Sequence, residues 1–467
     1  MKKMVVINPL DNVGVLLQEQ NGIPAGHKVA LRKIRKGESV IKYGMVIGKA
    51  TKDIQEGEWV HTQNLKSHLD ESFSYTYKRE YQTPKKEHLT FKGYLRDDGR
   101  AGIRNDIYIM PTVGCVNGVC KRLEQESQKF IKGSIDSIFA LPHQFGCSQL
   151  GEDAENIKKL LCSIALNPNA TYVLFVGLGC ENNSLSSIKE YLDSKHRKNV
   201  FYYNCQEVED EVAYGLKIIE ECAAKASKLR REEVSLDKLV IGLKCGGSDG
   251  FSGITANPTI GKVADRVISC GGSAVLTEVP EMFGAEQTLM NKCVSKDVYE
   301  RFITLINNFK QFYLDNNFPI YENPSPGNKA GGITTLEEKS CGCITKAGSS
   351  PVVDVLDYGD VVVKNGLNIL NGPGNDLIAA TALAASGCQL ILFSTGRGTP
   401  LSTFVPTLKI GTNNHLSEFK DRWIDFNAYS LDDSGLFDLL LKTISGEYKT
   451  KNESNKEMAF YKKGVTL

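Results

Sequence analysis

The chain has 467 residues and a formal net charge of +1, from 56 Lys and Arg against 55 Asp and Glu. That balance gives no electrostatic ground for nucleic acid or an anionic membrane as partner, and the length exceeds one ordinary core, so two or three domains are expected. No apolar run approaches the ~18 residues of a membrane span, Asn8, Pro9 and Asp11 cut the first apolar stretch below signal-peptide length, and 13 cysteines, an odd count, point to thiols in a reducing cytoplasm.

Residues 1–68 alternate in short runs (Val29–Arg32, Val40–Tyr43, Met45–Gly48) between turns at Gly22, Gly26, Gly37, Gly44 and Gly57. Period-two alternation with frequent turns predicts a small β module. Residues 69–92 are rich in Lys, Glu, Tyr and Thr without a period, which predicts a linker. From residue 93 onward, apolar runs such as Val173–Val176, Leu239–Leu243, Val275–Val279 and Leu390–Phe393 alternate with amphipathic stretches such as Glu152–Leu166 and Asp376–Ala385. That alternation is the signature of an α/β fold with a parallel sheet. Charge concentrates over Ala223–Ser235, and a break there divides the region into 93–232 and 233–467. The polar tail after Gly446 is expected to fray or lie on the surface.

Five apolar runs end at a cysteine: Cys115, Cys147, Cys180, Cys205 and Cys245. Because parallel strands put their carboxyl ends on one edge, where ligands of open α/β sheets bind, these thiols are expected along one rim. Cys205 lacks the glycine-rich surroundings of the others and reads as core. Three histidines sit beside turn motifs. His27 (Gly26-His27-Lys28) and His61 (Val60-His61-Thr62) could meet as a metal pair or as an acid–base pair, a pair of surface histidines being the plainer reading. His143 stands four residues before Cys147, at a strand end passing into a helix. Arg100 and Arg104 lie in the loop Arg96–Asn105, where planar guanidinium groups suit a carboxylate; a solvated charge run stabilising a domain junction is the alternative.

Lys244–Gly253 holds four glycines in ten residues, which free the backbone to wrap a ligand, with Cys245 and Asp249 as possible ligand atoms and Glu278 after the next strand. Asn371–Asp376 and Thr395–Pro400, which contains Arg397, resemble backbone anion cradles. Leu377 and Leu401 stand where a dinucleotide fingerprint needs its third glycine, so a nicotinamide-dependent oxidoreductase loses its main support. Cys341-Gly342-Cys343 has no clear reading.

These strings resemble those of the altronate/galactarate dehydratase family: KYGMVIG, WVHTQN, GYLRDDGRAGIRN, HQFGCSQLGED, GLGCENN, KCGGSDGFSGITANP, LTEVPEMFGAE, SPGNKAGGITTLEEKS and STGRGTP. HQFGCSQLGED and PTVGCVNG look closer to the altronate branch. The resemblance implies a β-clip (SAF-like) module at 1–68, a linker at 69–92, a dimerising α/β domain at 93–232 and a Rossmann-like domain at 233–467. It also implies a metal-supported hydro-lyase that removes water from a sugar acid, with Fe2+ expected, Mn2+ as a second choice and an iron–sulfur cluster left open. On this reading His27, His61 and His143 move protons, while Arg100, Arg104 and Arg397 hold the substrate carboxylate. Cys245, Asp249 and Glu278 hold the metal, with Cys115, Cys147 and Cys180 as ligands if the centre is iron–sulfur. Galactarate dehydration, 3-sulfolactate sulfite elimination and a sugar-acid-binding protein without activity are the alternatives.

Overall fold

The computed structural model describes residues 4–69 and 74–464. The N-terminal module is built from two antiparallel sheets. One pairs Met4–Val5, Val13–Leu16, Lys28–Ala30 and Trp59–Val60; the other pairs Ser39–Lys42, Met45–Ala50 and Leu65–Lys66. Its small core gathers Val13, Ala30, Ile34, Val40, Ile47, Ala50, Ile54, Val60 and Leu65.

Of the expected linker 69–92, residues 70–73 lie outside the described residues; residues 74–89 have no regular structure, yet they are tied down. The Tyr75 hydroxyl donates to Glu286 at 2.9 Å, Tyr77 to the Cys293 carbonyl at 3.1 Å, and the Glu80 and Glu87 amides donate to Asn291 and Ser269 carbonyls. The expected linker is therefore a strap along the C-terminal domain. A three-stranded sheet (Thr90–Leu95, Ala101–Gly102, Glu232–Ser235) then marks where the chain enters and leaves the middle domain.

That domain is a four-stranded parallel sheet in the order Ser137–Ala140, Asp106–Pro111, Ala170–Gly177, Val200–Asn204. The C-terminal domain has a seven-stranded parallel sheet in the order Val352–Leu356, Leu367–Leu370, Ser273–Leu276, Val240–Cys245, Leu390–Thr395, Thr407–Gly411, Phe426–Asn427. Both sheets have helices on their faces, so their strands read as continuous apolar runs.

The five cysteine-terminated strands are thus divided between two sheets. Cys115, Cys147, Cys180 and Cys205 follow the four strands of the middle sheet, and Cys245 ends a strand of the other. A single rim of five thiols does not form. The tail after Gly446 lies along the surface, one of the two expected outcomes, and is pinned there. Phe460 is 6% exposed and packs on His143 and Phe145, and the Asp153 carboxylate accepts from the Lys463 and Gly464 amides. A polar tail carrying one well-placed aromatic has enough buried area to stay down.

Candidate active site and metal centre

Val240–Cys245 is the first strand of the C-terminal sheet and lies at its centre. The chain moves from it to Ser273–Leu276 on one side and only later fills Leu390–Thr395 on the other. This is a topological switch point, where the strand ends diverge and leave a crevice. Cys245 stands at that crevice. Glu278 lies just past the neighbouring strand in a left-handed conformation (φ 68°), an uncommon backbone state for this residue type and one that clusters at functional sites. Glu281 follows in the turn Val279–Glu281, and Cys343 ends the helix Leu336–Cys343.

These four form the one group of three or more Cys, His, Asp or Glu ligand atoms within 4.8 Å of one another among the described residues, and all four are buried. The Cys245 and Cys343 sulfurs are 3.7 Å apart, and Glu281 Oε2 lies 3.7 and 3.6 Å from them. Two thiolates at ~2.3 Å from a tetrahedral ion stand about 3.7 Å apart. The spacing therefore fits three vertices of a metal site, and two sulfurs with a carboxylate suit a borderline first-row ion.

Three buried lysines neutralise the same cluster. Lys346 Nζ approaches Cys245 Sγ at 2.9 Å, Cys343 Sγ at 3.2 Å and Glu278 Oε2 at 2.9 Å. Lys244 pairs with Glu278 and, at 2.8 Å, with Asp376; Lys339 pairs with Glu281 at 2.9 Å. The two thiols are within hydrogen-bonding reach of each other. The Cys343 S–H holds the Cys245 thiol below its usual range, with Lys346 assisting, while that hydrogen bond and burial push Cys343 well up. Burial would raise Glu281, but Lys339, Lys244 and Lys346 outweigh it and hold the carboxyl down. The site offers two sulfurs and a carboxylate held ionised, and Lys346 carries the positive charge beside the sulfurs that a bound ion would replace.

The N-terminal module docks against this region. Gly250 approaches Gly26 so closely that a Cβ would stand 1.9 Å from the Gly26 carbonyl, and a Cβ on Gly253 would meet the Tyr43 hydroxyl at 2.5 Å. The glycine-rich segment 244–253 thus admits a neighbouring domain, where sequence alone suggested a ligand wrap. Lys28 and Lys42 cross the junction to pair with Glu338 at 2.7 and 2.9 Å, all three buried. A small cavity joins Tyr43, Asp249 and Glu338 to Lys339 and Cys343.

His27 and His61 meet at this junction, their ring centroids 5.2 Å apart, with Trp59 against both. Trp59 Nε1 donates to His27 Nδ1 at 3.2 Å, and His27 Nε2 lies 3.3 Å from the Ala330 carbonyl. An indole only donates and a carbonyl only accepts, so His27 is the Nε2–H tautomer with both nitrogens engaged. His61 Nδ1 lies 3.0 Å from Thr334 Oγ1, which accepts from Lys28 at 2.6 Å. Its Nε2 has no hydrogen bond to another described residue. Burial, aided by Lys28 and His27, lowers His61 to about 4, and burial lowers His27 as well. Both rings are neutral near pH 7, and His61 alone keeps a nitrogen free for proton transfer.

Other expected site residues stand elsewhere. His143 Nε2 donates to the Pro111 carbonyl at 2.8 Å and its Nδ1 accepts from the Phe145 amide at 3.2 Å. It pins a middle-domain loop and has no lone pair to spare. Arg104 is buried on Glu453, 2.6 Å from Nε, and Arg100 is held by Asp98 and the Leu166 carbonyl. Both arginines act in domain structure, because carbonyls and a carboxylate of the chain already fill their donors. Asp249 accepts from Thr412, Asn413 and Ser252, and lies outside the Cys/Glu group. Its pKa is raised by burial against those hydrogen bonds.

The Gly396 and Arg397 amides donate to the Gly247 carbonyl, so that segment is no anion cradle; the exposed Arg397 side chain reaches only the Gly327 carbonyl, at 3.2 Å. Asn375 caps the helix Asp376–Ala385. Cys115, Cys147 and Cys180 are exposed on the middle sheet's rim. Sequence reading missed Cys343, Lys339 and Lys346 as site residues. Their one signal was the string Glu337-Glu-Lys-Ser-Cys-Gly-Cys-Ile-Thr-Lys346, which puts cysteines and lysines within three turns of helix.

A β module clamped over a switch-point crevice with a buried thiol–carboxylate cluster defines a multidomain α/β protein with an enzyme-like site. The sequence places it more narrowly. Residues 16–68 match the family described as Altronate/galactarate dehydratase SAF domain, 93–227 match D-galactarate dehydratase/Altronate hydrolase, second domain, and 236–466 match D-galactarate/Altronate dehydratase, C-terminal. The chain is 46% identical to an altronate dehydratase of Bacillus subtilis over 100% of both chains. It is 45% identical to an altronate dehydratase of Escherichia coli, over 98% of this chain and 95% of the relative. A galactarate dehydratase (L-threo-forming) of Escherichia coli is 32% identical over 92% of this chain and 87% of its own. The chain belongs to the altronate/galactarate dehydratase family.

Proposed function

We propose that this protein is a hydro-lyase that removes water across C2–C3 of D-altronate, giving 2-dehydro-3-deoxy-D-gluconate after tautomerisation. The observation that carries the reading is end-to-end likeness to altronate dehydratases, 46% over the full chain, against 32% for the galactarate enzyme. Fusion of the N-terminal module to the large part in one chain favours the sugar-acid reading over sulfite elimination.

The C2 proton is weakly acidic until the adjacent carboxylate is neutralised. When bound, a divalent ion (Fe2+, with Mn2+ second) on Cys245, Cys343 and Glu281 would supply that Lewis-acid neutralisation. The chain's own residues do the rest. His61 takes a proton at Nε2, with Nδ1 held on Thr334 so that the ring keeps one orientation. His27, fixed by Trp59 and Ala330, is a wall that positions His61. Arg397, the one expected arginine whose side chain meets the chain only at the Gly327 carbonyl, engages the substrate carboxylate from the mouth of the crevice.

The test is an anaerobic, iron-supplemented assay of altronate, galactarate, glucarate, mannonate and 3-sulfolactate. Altronate should have the highest kcat/KM, and turnover of none would sink the reading. His61→Ala should lower kcat by the 10²–10⁴-fold typical of a lost acid–base group, while His143→Gln keeps kcat within a few fold. We further place the protein in the cytoplasm as a homodimer joined through residues 93–232; the odd count of 13 cysteines in a long, core-rich chain supports the compartment, and sedimentation of the full chain checks the dimer.

A further inference from the structure

At the amino ends of the middle-sheet strands lies a cavity of about 400 Å³, lined by Arg96, Asp97, Tyr172, Arg197, Lys198 and Asn199 among others. The cysteine rim is on the opposite edge of that sheet, and Cys245 belongs to another domain, so the cavity is separate from the site described above.

Its two arginines are held in place from one side. Arg96 Nε donates to the Pro168 carbonyl at 2.7 Å, and its Nη2 to the Arg104 and Asn169 carbonyls at 2.8 and 3.4 Å. Arg197 Nε donates to the Ala165 carbonyl at 2.9 Å, and its Nη2 to the Ala170 carbonyl at 2.6 Å. The two guanidinium heads thus stand on the adjacent carbonyls of Asn169 and Ala170, beyond the helix Gly151–Ala165. Holding that turn accounts for one edge of each head. The other edge is unused: neither Nη1 has a hydrogen-bond partner among the described residues, and neither is sealed from solvent.

The charge is also unbalanced. Arg100, on the same turn, takes the Asp98 carboxylate at 2.6 Å, whereas Arg96 and Arg197 form no ion pair among the described residues. The carbonyl end of a helix carries about half a negative charge, too little for two guanidinium groups. Asp97, the one lining carboxylate not already paired, is exposed, and the equally exposed Lys198 offsets it. Burial and the charge of Arg197 bring Arg96 down to about 10, and burial with Arg100 does the same to Arg197. A cation withdrawn from water is normally paired.

We propose that this cavity binds a phosphoryl group, gripped by the Nη1 edges of Arg96 and Arg197 with Lys198 contributing charge. A planar guanidinium matches phosphate oxygens bidentately. A phosphate monoester carries about −1.5 to −2 charges near pH 7, which two unpaired guanidinium groups balance; one carboxylate would leave one of them unneutralised. Because backbone carbonyls already fix both heads, little rotamer freedom is lost on binding. The volume lies within the ~300–1,000 Å³ of small-molecule sites, so an organic portion fits beside Tyr172 and Asn199. Such a ligand would be an effector, because the cavity lies in a different domain from Cys245 and His61. The site does not rest on the dehydratase reading.

Calorimetric titration of the full chain at low salt tests it, with glycerol 3-phosphate and inorganic phosphate as ligands and D-altronate as the carboxylate control. One phosphate compound should bind per chain, more weakly as salt rises, and saturating D-altronate should not displace it. Tighter binding of the ester identifies an organic phosphate as the occupant; tighter binding of inorganic phosphate identifies the free anion. Arg96→Gln and Arg197→Gln should each weaken binding about tenfold or more, as for one lost charge-assisted hydrogen bond. Arg197→Lys should lose nearly as much, since an ammonium keeps the charge without the fork. Both arginines also hold the turn, so circular dichroism checks that these variants fold. Lys198, exposed and without a bond to another described residue, gives a variant that leaves the turn alone: Lys198→Gln should weaken binding about threefold. Absence of binding by either phosphate compound, wild-type affinity in the folded Gln variants of Arg96 and Arg197, or displacement by D-altronate would each overturn the proposal. Binding is read without turnover, so its failure leaves the dehydratase reading standing, and failure of sugar-acid turnover leaves the phosphoryl site standing.

Discussion

Replacing Glu338 by Gln leaves two buried ammonium groups without their shared counter-ion. Burial by itself would raise the Glu338 carboxyl, but Lys28 and Lys42 outweigh it and hold it near 2, against an ordinary 4.5. That depression corresponds to about 3 kcal/mol of stabilisation of the ionised form, and the full burial of all three side chains leaves little solvent screening to discount. Removing one member of a buried ion pair typically costs roughly 3–5 kcal/mol, so the two routes agree. The lysines do not share the benefit equally. Burial outweighs Glu338 at Lys28 and brings it down to about 8, whereas Glu338 and Tyr43 outweigh burial at Lys42 and raise it. These contacts join the module to the C-terminal domain, so the loss should appear as undocking. Hydrogen exchange of residues 13–66 in Glu338→Gln should accelerate about 100-fold or more at pH 7, while the seven-stranded sheet stays protected. The cost should be smaller at pH 9, because a buried lysine without a counter-ion sheds its proton. Below pH 4.5 the wild-type junction should weaken too, since a depressed carboxyl loses its advantage as it protonates. An effect under about 1 kcal/mol, or one equal at pH 7 and pH 9, would refute the reasoning.

Gly146→Ala should destabilise the middle domain by more than about 2 kcal/mol, since Gly146 has φ 111° and a Cβ would lie 2.1 Å from the Thr112 carbonyl; denaturant unfolding checks it. Phe460→Ala should cost roughly 3 kcal/mol and open the tail to limited proteolysis, as the ring is buried on His143 and Phe145. Burial lowers His143 to about 4, below its unfolded value. Between pH 6.5 and 4 the unfolded chain therefore binds more protons, and stability drops as the pH is lowered, by up to about 3 kcal/mol for this group. His143→Gln should flatten that acid limb of the unfolding profile; an unchanged slope would exclude His143 as a contributor.

Much of the architecture is local and so was legible in the residues. Period-two runs between glycine turns define the β module, and runs such as Val173–Val176 and Leu390–Phe393 bounded by helical periodicity define parallel strands, because burial on both faces forces continuous apolar sequence. Glycines at 114, 146 and 179 before cysteines mark strand ends for the same reason. The site was legible only in pieces. Cys245 and Glu278 stood out because each lies beside a strand terminus, and His27 and His61 because each lies at a turn. Their partners Cys343, Lys339 and Lys346 come from a helix and the turn after it about a hundred residues away, which no periodicity links to Cys245.

The same residue types stand at the crevice and far from it. Arg104 and Arg100 had the composition of a carboxylate site, yet Glu453, Asp98 and backbone carbonyls take their donors. Gly250 was read as a ligand wrap and proved to be a contact with Gly26. Sequence by itself determined which segments are strands, helices and turns, and which family they belong to, since local burial pattern and long motif strings are properties of the chain. Which of three histidines keeps a free nitrogen, which cysteines meet and which arginines are spent was decided by tertiary structure alone. Hydrogen-bond saturation and charge pairing depend on neighbours brought together from far along the chain.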